Sequence, residues 1–173
     1  MKKTPFNILV ESNENTVVNY FTPTPTDQVK TAVPVRDLSK SGQLVLWSIR
    51  RWVQRRRLGD SVDTALKSTY TLAGIPDAQK PFEELMTLLA TVALRDVVVE
   101  CQCSAFLSSD ELLLMHTLRS LQSGHHEIAE QRIARIIAGR LGWTFCRIGA
   151  DYVKYLEKAG FSLNQISVLS VAR

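Results

Sequence analysis

Long hydrophobic runs, an even set of cysteines, glycine-rich phosphate loops and low-complexity tracts are all missing from this chain of 173 residues. No stretch approaches the ~18 apolar residues that a membrane span requires, so no membrane segment is expected. The apolar run Phe6–Val10 is too short for a secretory leader and is soon interrupted by Glu11 and Asn13. Three cysteines, an odd number, speak against a disulfide framework and for a reducing, cytoplasmic setting. There is no phosphate-cradling loop, no nucleophile elbow, no His-Glu-x-x-His and no carboxylate pair on an apolar background. No catalytic class and no cofactor are therefore indicated. The absence of a fixed-period repeat excludes a solenoid.

What is present suits one folded domain. Apolar residues make up 45% and charged residues 22%, enough for a core without staples. The formal charge of +4 is a mild bias toward an acidic partner, and it acquires weight only where the charge clusters.

Residues 1–41 read as an N-terminal arm and 42–173 as a helical domain. In the arm, Phe6–Val10 and Thr16–Phe21 are β-branched and aromatic and are separated by Ser12-Asn13-Glu14-Asn15, the chemistry of a small hairpin. Pro23, Pro25 and Pro34 then mark a linker that cannot be helical. Helical periodicity begins at 41–57, where Val45, Leu46, Ile49, Trp52 and Val53 share a face and Gly59 stands as C-cap. A second helix is predicted over 60–73. The third has Pro81 in its first turn and a stripe of Phe82, Leu85, Met86, Leu89, Val92 and Ala93. Three consecutive valines at 97–99 break the period and predict a strand over 97–102 that pairs with the arm. Ser108 and Glu111 have capping-box spacing and open a helix to about 122. Its leucines surround most of the cylinder, so it is either central or turned toward another subunit. A fifth helix is predicted over 125–141, ending at Gly142, and a sixth over 148–158. The tail 166–171 alternates weakly, as a strand or short helix. The expected fold is mainly α, with five to six helices in one compact domain and a small β element from the arm and residues 97–102.

Three places carry chemistry worth testing. On the first helix, Leu44, Trp47, Arg51 and Arg55 fall opposite the apolar stripe, so Trp47 is expected to point outward with Arg51 stacked on it. Residues 36–57 hold seven basic side chains, among them Arg50, against Asp37 alone. Exposed Trp with Arg is the composition of an interface hot spot and is also compatible with a nucleic-acid surface; the bland reading buries Trp47 under the arm and leaves the arginines as a solvated face. Leu44, Trp47, Arg50, Arg51 and Arg55 are accordingly the candidate partner-binding set.

The second place is residues 134–160. Ile137-Ala138 and Leu141-Gly142-Trp143 supply the small residue and the turn glycine of a helix-turn-helix, with Thr144–Lys158 as recognition helix. The run 133–162 loosely resembles the winged-helix superfamily. Gly149 lies inside the proposed recognition helix, and Asp151 sits where that pattern wants an apolar residue. The resemblance implies DNA contact through Arg132, Arg135, Arg140, Thr144 and Arg147, a stretch with no acid between 131 and 150.

The third place is Cys101, Cys103 and His116. An enzyme reading requires these to converge on a polar pocket. The bland reading packs both cysteines between strand and helix, with no metal, because Cys-x-Cys is tight for zinc and adjacent His125 and His126 diverge on a helix. On balance the sequence points to a non-enzymatic regulatory or adaptor protein acting through protein contacts or as a homo-oligomer. DNA binding and an unrecognised enzyme site are the alternatives.

Overall fold

The computed structural model describes residues 21–22, 33–59 and 63–163. Among the described residues six α-helices form the body: α1 Lys40–Leu58, α2 Asp63–Leu72, α3 Gln79–Val92, α4 Ser109–Gln122, α5 His126–Ile133 and α6 Arg140–Lys158. Two-residue strands β1, Phe21–Thr22, and β2, Val97–Val98, pair in parallel with Phe21 opposite Val97. The arm thus meets the valine run as its residue types suggest. The rest of the expected hairpin, Pro23, Pro25 and the tail 166–171 lie outside the described residues. Residues 33–38 run along the body: Val35 N–H donates to Ala105 O, Leu107 N–H to Val33 O, and Leu38 is buried. No helix among the described residues is long and apolar enough to cross a membrane.

Each helix forms for reasons visible locally. Ser39 caps α1 by accepting the Gly42 N–H at 3.1 Å, and Gly59 closes it in the left-handed region that lacks a Cβ penalty. The capping box at α4 is complete, since Ser108 accepts Glu111 N–H at 3.0 Å and Glu111 accepts Ser108 N–H at 2.9 Å. α4 is the central helix. Leu114, Met115, Leu118 and Leu121 are buried, and α1, α5, α6 and β2 pack around it, which accounts for apolar residues on most of its circumference. Beside it, Tyr70 of α2, Phe82 of α3 and Tyr152 of α6 form an aromatic cluster with the two hydroxyls 3.0 Å apart.

The expected boundary between the last two helices is displaced. α5 stops at Ile133, and α6 starts at Arg140 and runs straight through Gly142. Ile136 and Ile137 still enter the core, because tight hydrogen bonds back to Ile133 O at 2.8 Å keep them on the same side as a helix would. The reversal falls at Gly139, with φ of 60°. Gly142 is a packing glycine: a Cβ there would lie 3.2 Å from Ile137 O.

Candidate binding surface on the sixth helix

The basic face of α1 is only partly a surface. Leu44, Trp47, Arg51 and Arg55 are half-buried, and Leu44 and Trp47 pack against the core cluster. Arg51 donates to Gln54 Oε1 at 3.2 Å, and among the described residues no guanidinium stacks on Trp47. The stacked pair on this helix is Arg56 over Trp52, 5.2 Å from the ring centroid.

Arg50 departs most from expectation, because it is not on the surface at all. Its Nε and Nη2 donate to the Glu111 carboxylate at 2.8 and 2.9 Å, and Nη1 and Nη2 donate to Ser104 O and Phe106 O, both at 2.8 Å. Both partners of the ion pair are essentially inaccessible, with side chains 3% and 0% exposed. Every strong direction of the guanidinium fork is thus spent inside the protein. Glu111 also accepts Glu100 N–H at 3.1 Å, so the pair curls loop 99–107 over α1. The capping-box spacing accounts for Glu111 at the helix start and gives no sign of these further bonds. Asp110 is in fact buried too, bonded to Arg95 at 2.6 and 2.8 Å and to Val98 N–H at 2.8 Å.

That curl also relocates the cysteines. The strand ends at Val98, so Cys101 and Cys103 do not pack between strand and helix. They lie exposed in a turn closed by Ser104 N–H to Cys101 O at 3.0 Å, and they are joined by a disulfide. His116 sits half-buried on α4, its carbonyl taken by Arg132, and it does not line the cavity beside Cys101. Burial lowers its pKa, and Arg132 and Arg119 lower it further. The convergence that an enzyme site would need is not formed by these three residues. No three His, Cys, Asp or Glu side chains among the described residues gather as a metal site. The third cysteine, Cys146, is a buried free thiol whose pKa is pushed up to about 12 by desolvation, with Glu130 adding to it.

The segment 134–160 is not a helix-turn-helix with its turn at Gly142, since Leu141, Gly142 and Trp143 lie within α6 and α6 packs on α3, α4 and α5. Gly149 is where it crosses α4, with Leu121 Cδ1 only 2.7 Å from the place a Cβ would take. Arg132 is likewise structural, donating to His116 O at 3.2 Å and to the Ser120 hydroxyl. Thr144 is half-buried and bonds back to Arg140 O at 3.1 Å. Arg135, Arg140 and Arg147 remain exposed, and among the described residues they form no ion pair.

Between those arginines stands Trp143, 57% exposed, with the Arg147 guanidinium 6.0 Å from its ring. Arg140, Trp143, Thr144 and Arg147 recur at helical spacing, opposite the buried stripe of Phe145, Cys146, Gly149, Tyr152, Val153 and Leu156. Leu141 is 44% exposed, and Leu94, 65% exposed, is carried to the same end of the molecule by its N–H bond to Ile136 O at 2.8 Å. Placing a helix end at Gly142 hid this surface, because it put Arg140 and Trp143 on different elements.

Fold and surface together define a mainly helical protein with an aromatic and basic face at the start of α6. No protein-family model matches the chain, and comparison with curated proteins and with solved structures yields no significant relative.

Proposed function

We propose that this is a non-enzymatic regulatory protein that binds nucleic acid through the outer face of the first two turns of α6. The observation that carries the reading is the exposed Trp143 flanked by arginines that form no ion pair among the described residues. Burying an indole releases apolar surface, yet this one is left in solvent beside Arg147. An exposed aromatic ring among cations is what an unpaired base stacks on, while Arg135, Arg140 and Arg147 answer the phosphates. Gly139 provides no side-chain cap, so the positive end of the α6 dipole adds to the field there. A projecting Trp on a helix packed from three sides favours a single strand over the major groove of a duplex.

The test is fluorescence anisotropy with labelled oligothymidylate and, in parallel, a duplex, at rising salt. The single strand should bind more tightly, and Trp143→Ala should weaken it about tenfold, as loss of one stacked base does. Removing a phosphate-contacting charge, Arg140→Gln or Arg147→Gln, should flatten the salt slope by about 0.7 per contact. No binding to either probe at low ionic strength would discard the reading.

A second reading, protein contact or self-association through Leu44, Trp47, Arg51 and Arg55 of α1, is favoured by the indole of Trp47 staying half-exposed on a basic helix. Sedimentation of wild type and Trp47→Ala addresses its self-association form; a wild type that stays monomeric at high concentration ends that form. A cytoplasmic setting goes with either reading; the odd, buried thiol of Cys146 is free, whereas the exposed Cys101–Cys103 disulfide runs against the expectation of reduced cysteines there.

A further inference from the structure

The bridge between Cys101 and Cys103 spans a single residue, Gln102, within one exposed turn. It ties no two elements together, and closing so short a loop removes little entropy from the unfolded chain, so it is a poor staple. The turn does not need it. Arg50 holds Ser104 O and Phe106 O on one side of the pair, and Glu111 holds Glu100 N–H on the other.

The two sulfurs are not equivalent. Cys101, and not Cys103, lines a cavity of about 210 Å³ between the loop and the C-terminal half of α1. Its charged walls are Arg50, Arg57 and Glu100. Arg50 is committed to Glu111, but the Nε and Nη2 of Arg57 are buried with no hydrogen-bond partner among the described residues. Burial lowers the Arg57 pKa. A thiolate forming at Cys101 would give these two nitrogens an acceptor.

We propose that Cys101–Cys103 is a thiol–disulfide exchange site, with Cys101 as the attacked sulfur, Arg57 as the group that steadies its thiolate, and a small thiol or dithiol as co-reactant. The incoming thiolate attacks Cys101 Sγ. The S–S bond breaks with its electron pair passing to Cys103 Sγ, which takes a proton from solvent. A second thiolate, from the same dithiol or another molecule, then attacks the co-reactant sulfur of the mixed disulfide and expels Cys101 as thiolate beside Arg57. Two thiols are oxidised to one disulfide and the protein pair is reduced to two thiols, so electrons balance.

The full chain is titrated with reduced and oxidised glutathione, followed by intact mass, with circular dichroism as a check on folding. The bridge should reduce at millimolar glutathione while the fold persists and Cys146, being buried, stays unmodified. The Cys103→Ser variant should take up one glutathione at Cys101 from oxidised glutathione about tenfold faster than Cys101→Ser does at Cys103. Adding Arg57→Gln to Cys103→Ser should slow that uptake several-fold at pH 7, and the difference should close above the ordinary thiol pKa of about 8.5. A bridge that yields only when the protein unfolds, equal rates for the two single-cysteine variants, or no effect of Arg57→Gln would overturn the proposal.

Discussion

Arg50 lies in a run of arginines that reads as an exposed, partner-binding face, and nothing within that run distinguishes it from Arg51. Its partner Glu111 lies 61 positions away, so only the fold brings the two together. Glu111 was legible as half of a capping box, and its second bond was not, because a capping pattern reports local partners only. Removing one member of a buried pair strands the other charge in a low-dielectric interior. Arg50→Ala should therefore cost about 3–5 kcal/mol in denaturant unfolding, whereas Arg135→Ala should stay within about 0.5 kcal/mol. His116 gives a pH signature at the same scale. Its folded pKa lies below the usual 6.5, so below that pH the unfolded chain takes up a proton that the folded one resists. Stability is then lost as pH falls through about 6.5, and the melting temperature of His116→Gln should fall less than that of wild type over the same range. Equal falls would show that the imidazole is not the group responsible.

Helix existence was legible wherever the apolar spacing was strong, as in α1, α3 and α4, because one buried stripe requires one period. The ends of α5 and α6 were not. Gly139 and Gly142 stand three residues apart, and either can punctuate a helix. The choice rests on tertiary facts: Ile136 O must reach Leu94 N–H, and Ile137 O lies 3.2 Å from where a Cβ on Gly142 would stand. Gly149 looked like a flaw in a recognition helix and is instead the small residue that lets α6 lie close on α4. A methyl group there meets Leu121 Cδ1 at 2.7 Å, Leu118 Cδ2 at 3.5 Å and Leu85 Cδ1 at 3.7 Å. Gly149→Ala should destabilise by about 1–3 kcal/mol, since better helix propensity recovers less than overpacking costs. A variant more stable than wild type in thermal melts would contradict this account of the crossing.

Over the whole molecule, composition and periodicity sufficed for a mainly helical body with a small β contact from the arm. The surfaces were harder to read, because exposure depends on which side of each helix the neighbours cover. Of three tryptophans, Trp52 is core, Trp47 is half-covered and Trp143 stands out. This difference makes the central claim directly measurable. Indole emission is recorded while oligothymidylate is added to wild type and to Trp143→Phe at low salt. The account predicts saturable quenching in wild type, reversed by added salt, and its disappearance in Trp143→Phe. Undiminished quenching in the variant, or none in wild type, would contradict it.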